Sequence, residues 1–275
     1  MDAPWKGADK PRPHTCCFDN RVSPGQKHLA ELSFRLARSG FRCFLTDMAT
    51  DGCAAINENS LNRPVRCLIT AGPTREYLDP VRFISNASSG KMGYALAEQA
   101  VSLGWEVDLI AGPVGLKAPE GVRLHPVVSA VDMLEAAQPL FEHCSVLFMV
   151  AAVTDYRPVE RVTQKMKKTE SHISVEMIRT PDILSTLAHG KKTQVVVGFA
   201  AETRNLESYA TEKLRAKGLD WIVANDISRP GLGMEVDDNE VVLMAASGER
   251  LPFGPAPKSE VAAFILERIR TVLEG

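Results

Sequence analysis

Four short segments carry residue types suited to chemistry on anions. SNASSGKMG (85–93) sets serines and glycines just before a helical pattern, which supplies backbone N–H groups and a positive dipole end. It is neither a Walker A loop nor a complete G-x-G-x-x-G. Composition alone fits equally well an N-cap, Ser88 or Ser89, followed by a glycine packed close to a strand. AAVTDYRP (151–158) ends a strongly apolar run and places Asp155 where a carboxylate accepts hydrogen bonds from a sugar or base, or holds a metal. A plain turn with Asp as an Asx cap fits as well. QKMKK (164–168) concentrates Lys165, Lys167 and Lys168 in a polar loop; such runs are usually solvated surface, yet ammonium groups after a strand end also suit phosphates. GFAAET (198–203) precedes a helix on which Leu206, Ala210, Lys213 and Lys217 share one face. Like charges four apart cost a helix a few tenths of a kcal/mol. A bound anion relieves that cost; alternatively both stems simply snorkel along the core edge.

Alternating elements must position these segments. RCLITAGPT (66–74) is a buried parallel strand running into a loop, and a helix over about 91–103 leads to a strand at 105–112. Helices at 131–141, 181–190 and 205–218 precede strands at 145–153, 193–201 and 220–226. The repetition predicts an α/β, Rossmann-like, mostly parallel sheet with right-handed crossovers and helices on both faces. A C-terminal hairpin (239–253) turned at Ser247-Gly248 and an amphipathic helix (259–273) close the chain. Ligands of such sheets settle beyond the carboxyl ends of the strands, which is where the four segments fall. Residues 1–64 lack sustained periodicity and read as a weakly ordered extension of open role, before one domain at 65–275.

The 275 residues carry 32 basic and 34 acidic side chains, so no global field attracts nucleic acid or an anionic membrane, and any anion site is local. No apolar run approaches the ~20 residues that span a bilayer, and no signal-peptide core is present, which predicts a cytoplasmic protein. The 6 cysteines form no C-x-x-C pair and read as reduced, incidental thiols, above all Cys67 and Cys144 beside apolar strands. A Rossmann oxidoreductase would show the complete glycine fingerprint with an acidic residue about 20 positions on, and this chain does not.

Taken in order, TAGPTREYLDPVRFISNASSGKMG, AAVTDYRP, KMKK, TPDIL, GFAAET, KLRAKGLDWIVAND and DDNEVVL resemble the phosphopantothenoylcysteine synthetase family, typically the C-terminal half of a bacterial bifunctional coenzyme A biosynthesis protein. The match covers about Cys67 to the C-terminus. The resemblance implies a ligase of coenzyme A biosynthesis: the carboxylate of 4'-phosphopantothenate attacks the α-phosphate of a nucleoside triphosphate, pyrophosphate leaves, and the cysteine amine displaces the nucleotide. Neutralising an anion that attacks a polyanion calls for lysines and Mg²⁺. No Ser-His-Asp or Cys-His arrangement is evident.

On the same resemblance, Asn86 hydrogen-bonds the acyl-nucleotide, Ser88, Ser89 and Gly90 cradle the substrate phosphate, and Lys165 contacts the triphosphate. Asp155, Pro181, Asp182, Ile183, Leu184, Phe199, Lys213 and Lys217 correspond to the nucleotide pocket. The GPT and AAVTDYRP wording implies CTP rather than ATP. The segment before Arg66 is too short for the relatives' flavin-binding decarboxylase domain, so neither flavin nor decarboxylase activity is expected. A homodimer is expected, with an arm at 156–180 crossing to the partner. The competing reading is a non-catalytic subunit that binds a nucleotide or a separate decarboxylase.

Overall fold

The computed structural model describes residues 64–167, 171–202, 204–226, 233 and 235–275; nearly all of the expected 1–64 extension lies outside them. The main sheet has eight strands in the order β12-β11-β10-β9-β6-β1-β4-β5. These are β1 (Arg66–Ala71), β4 (Glu106–Ala111), β5 (Val122–Pro126), β6 (Val146–Met149), β9 (Val195–Glu202), β10 (Trp221–Asp226), β11 (Asp238–Ala245) and β12 (Arg250–Pro257). From β5 across to β10 every neighbouring pair is parallel, while β11 and β12 run antiparallel as the expected C-terminal hairpin. Gly248, at φ 99°, makes its turn, a conformation that glycine adopts without strain.

Strands such as CLITA and VLFM are apolar without alternation because both faces are covered. One face packs Ile69, Leu109, Phe148, Val223 and Leu243 under α1 (Lys91–Ser102) and α5 (Lys258–Glu274). The other packs Leu68, Ile110, Leu147, Val196 and Ile222 under α2 (Ala130–Phe141), α3 (Ile183–His189) and α4 (Leu206–Ala216). Within α1 the buried face includes Tyr94 and Ala97 beside Met92, Leu96 and Ala100, whereas Leu103 is the C-cap and is exposed. Starting at β1, the chain builds outward through β4 to β5, then crosses to β6 and continues to β9 and β10, so the strand order reverses between β1 and β6. A crevice opens there beyond the carboxyl ends.

Two small ribbons escape the helix and strand periodicities. β2 (Arg75–Tyr77) pairs with β3 (Phe83–Ser85), and β7 (Tyr156–Pro158) pairs with β8 (Met177–Arg179), both antiparallel. The second ribbon is the base of the arm expected at 156–180.

Candidate active site

The loop after β6 is built by threonines of the β1 end. Thr70 Oγ1 accepts from the N–H groups of Val150 (3.1 Å) and Ala151 (3.2 Å), and Thr74 Oγ1 accepts from Thr154 N (3.0 Å). Asn86, from the segment between β3 and α1, donates its Nδ2 to the carbonyls of Val153 (2.9 Å) and Ala152 (3.3 Å). AAVTD is therefore clamped between GPT and ISNA at the point where the strand order reverses. Thr180 closes the other side, donating Oγ1 to Thr154 O (2.6 Å) and its N–H to Asp155 O (2.9 Å).

Two clefts meet at this loop. The first, about 490 Å³, is lined by Asp155, Pro181, Asp182, Ile183, Leu184, Phe199, Lys213 and Lys217, every residue expected for a nucleotide except Lys165, with Tyr156, Arg179 and Thr180 added. The second, about 450 Å³, is lined by Asn86, Ser88, Gly90, Lys91 and Gly93, and on its far side by Asn225, Asn239 and Lys258. Ala151, Val153, Phe199 and Lys213 belong to both. A ligand in one cleft is thus within reach of a ligand in the other, with Lys213 between them.

The lysines of α4 do more than snorkel. Lys213 donates Nζ to Phe199 O (2.8 Å), and Lys217 pairs with the Asp182 carboxylate. Burial lowers the Lys213 pKa, assisted by the charge of Lys217, while Glu202, Asp182 and Asp155 oppose the shift. Asp182 also caps α3, accepting from Ser185 N at 3.0 Å. Burial alone would raise its carboxyl; the Lys217 ammonium and the Ser185 N–H outweigh that and hold it below the usual range. The first cleft thus presents a cation whose counter-charge a phosphate can replace.

At the second cleft, the cap of α1 is Gly90, at φ 78°, with no side-chain cap bond, rather than Ser88 or Ser89. The first N–H groups of α1 are consequently left for an anion. Ser88 Oγ instead accepts from Gly90 N (3.4 Å), and Ser89 is half-buried beside it without lining the cleft. The close glycine is Gly93: a Cβ there would lie 2.6 Å from Ala71 Cβ, so α1 sits directly on β1.

Lys165 is the expected residue that the fold leaves apart. It is exposed and lines neither cleft, and Lys168 lies outside the described residues. Its loop is held elsewhere: solvent-inaccessible Asp79 accepts from the N–H groups of Val81 (2.8 Å), Arg82 (2.9 Å) and Met166 (3.2 Å), and Arg82 donates to Met166 O. Burial would raise the Asp79 carboxyl, but these N–H groups and the Arg82 charge bring it below its ordinary value. Sequence reasoning did not single out Asp79, Lys91, Asn225, Asn239 or Lys258. Each sits inside a segment that carried the resemblance or next to one, yet spacing alone assigns none of them a role.

No group of three or more His, Cys, Asp or Glu that could hold a metal occurs among the described residues. The carboxylate donors on the first cleft are Asp155 and Asp182, which fits Mg²⁺, an ion usually held by one or two carboxylates plus substrate phosphates. With Asp182 committed to Lys217 and Ser185, Asp155 is the residue that would meet it.

A doubly wound α/β fold whose switch-point crevice is lined with lysines and an uncapped helix start defines a Rossmann-like protein with a two-lobed crevice. The chain belongs to the family described as DNA/pantothenate metabolism flavoprotein C-terminal domain, whose model matches residues 63–273. It is 47% identical over 203 residues to the coenzyme A biosynthesis bifunctional protein CoaBC of Bacillus subtilis, covering 74% of this chain and 50% of that one. Against the Escherichia coli K12 protein of the same name it is 40% identical over 211 residues, covering 75% and 51%. The chain spans about half the length of the curated relatives it matches. A crystal structure of the C-terminal domain of such a CoaBC superposes with a TM-score of 0.66 at 46% identity, covering 76% of this chain and 96% of that domain. A Cab2 mutant in complex with phosphopantothenate-cysteine shares the fold, at 18% identity and a TM-score of 0.64.

Proposed function

We propose that the chain joins 4'-phosphopantothenate to L-cysteine in coenzyme A biosynthesis, through an acyl-nucleotide. The observation that carries this reading is the pair of clefts meeting at Lys213, one lined by the nucleotide set without Lys165 and one opening on the uncapped start of α1. The substrate phosphate sits against Ser88–Gly90 and its carboxylate reaches the junction. CTP occupies the first cleft, with Lys213 and Lys217 on its phosphates. The carboxylate attacks the α-phosphorus, the bond to pyrophosphate breaks, and acyl-CMP forms. The cysteine amine then attacks the acyl carbonyl, CMP leaves, and the amine loses a proton. No redox step occurs and no flavin is used.

Asn86 meets the acyl-nucleotide by exchanging one of its bonds to the loop carbonyls, since both Nδ2 hydrogens are engaged by Ala152 and Val153. Mg²⁺, when bound beside Asp155, supplies charge neutralisation to the triphosphate. A homodimer accounts for two further features. Phe83, Val81, Val159, Val162, Ile173 and Ile178 are exposed around the arm, where a second copy would cover them. Lys165, held away from its own cleft, is then available to the partner's. No helix among the described residues is long and apolar enough to cross a membrane, and we place the enzyme in the cytoplasm.

The test supplies phosphopantothenate, cysteine and Mg²⁺ with CTP or ATP separately, following pyrophosphate release and product mass. Product formed preferentially with CTP, and lost in Lys165→Gln, supports the reading and the base choice together. No product with either nucleotide shifts it to a binding subunit.

A further inference from the structure

Beyond the residues used so far, the far wall of the second cleft holds two buried amides. Asn225 is the last residue but one of β10 and Asn239 the second of β11; they are 9% and 3% exposed, and both line the cleft. Along β10 the side chains alternate, Ile222 and Ala224 going to one core and Trp221 and Val223 to the other. Asn225 therefore points to the face covered by α1 and α5, and Val241, Leu243 and Ala245 place the β11 side chains of that parity on the same face. Apolar residues fill this face everywhere else along the two strands. Asn225 Oδ1 and Asn239 Oδ1 are buried with no hydrogen-bond partner among the described residues. Native proteins rarely leave such atoms unsatisfied. Each amide can turn about its Cβ–Cγ bond to present its oxygen to the cleft.

The surroundings state what kind of group is missing. Lys91 and Lys258 are the first residues of α1 and α5 and both line the cleft; Lys91 Nζ pairs with Asp237 (2.6 Å) and Lys258 Nζ donates to Gly233 O (2.8 Å), so the uncapped start of α1, with these ammonium groups beside it, answers a negative charge. Two amide oxygens add acceptors, which call for neutral O–H and N–H donors on the same molecule. We infer that Asn225 and Asn239 hold the middle of the acyl substrate, accepting from its secondary hydroxyl and its amide N–H, and thereby set specificity for a hydroxylated, amide-containing chain behind the phosphate. This rests on the ligase reading above and adds to it the recognition of the substrate's neutral part.

The experiment measures phosphopantothenate binding by calorimetry, and KM for phosphopantothenate and for CTP, with the full chain and with Asn239→Leu and Asn225→Leu. The same set is repeated with the analogue lacking the secondary hydroxyl. Wild type should bind the deoxy analogue about tenfold more weakly, and the variants should weaken phosphopantothenate about tenfold while losing that discrimination. The CTP KM should stay unchanged. The melting temperature without ligand should not fall, because each replacement removes an unsatisfied amide of similar shape. A lowered melting temperature with discrimination intact would make the amides structural and overturn the inference. So would KM values for both substrates rising together. If wild type forms product but tolerates the deoxy analogue equally, the ligase reading stands and this inference alone falls. If phosphopantothenate does not bind at all, both fall.

Discussion

At the scale of single residues, the two clefts carry lysines whose charge is costly where they sit. Lys258 is the clearest case: it is buried, donates Nζ to Gly233 O (2.8 Å) and Val236 O, and has its ammonium pushed down to about 8 by burial and by Lys91, with Asp237 and Asp238 opposing. An unfolded lysine titrates near about 10.4. Between those values the unfolded chain binds more protons than the folded one, so stability gains as pH rises from about 8 to about 10.4, and below pH ~8 the whole penalty is present. Urea titrations of wild type and Lys258→Met should therefore show the difference, wild type minus variant, rising between about pH 7.5 and pH 10. A flat difference would mean that the ammonium titrates normally. For Cys67 and Cys144, the two cysteines among the described residues, the incidental reading agrees with the structure: burial pushes the Cys144 thiol up to about 12 and Cys67 well above its ordinary value, so neither supplies a thiolate. The roles of Lys213 and Lys217 were only half legible. Helical spacing put them on one face, but their engagement with Phe199 O and Asp182 depends on α3 and β9 arriving beside them.

At the scale of elements, the crevice exists because glycines let backbones approach. A Cβ at Gly93 would meet Ala71 Cβ at 2.6 Å, and one at Gly112 would lie 1.8 Å from Pro73 O. Gly93→Val should lift α1 from β1, at a cost of about 1–3 kcal/mol in chemical unfolding. Because Gly90 and Ser88 move with α1, phosphopantothenate should also bind more weakly. Unchanged stability would show that α1 has room to shift. The main helices and all main strands but β5 were legible from apolar runs or periodicity over four to seventeen residues, whereas β5, five residues with exposed Arg123 and Leu124, shows no such run. The three-residue ribbons β2, β3, β7 and β8 were not, being too short to show a period and held by partners distant in sequence.

At the scale of the whole molecule, the proposed dimer would tie oligomeric state to activity through the arm. Light scattering at micromolar concentration should report a dimer, and Ile178→Glu together with Val159→Glu, both on exposed positions of the arm, should give monomers with lost ligase activity. Active monomers would place Lys165 in its own chain's site and remove the need for a partner. Two kinds of information meet in this protein. The order of apolar runs, turn residues and polar segments determined an α/β sheet with its chemistry at the strand ends, because those features are local and obey the periods of helix and strand. Which polar groups face each other was decided only by the tertiary structure. Asp182 reaches Lys217 across 35 residues of sequence, and Met166 hangs from Asp79 across 87. Asn225 and Asn239 join Lys91 and Lys258 in one cleft only once the strand order has reversed between β1 and β6 and the hairpin has folded back antiparallel. No local period encodes such meetings, since they are consequences of how the layers stack.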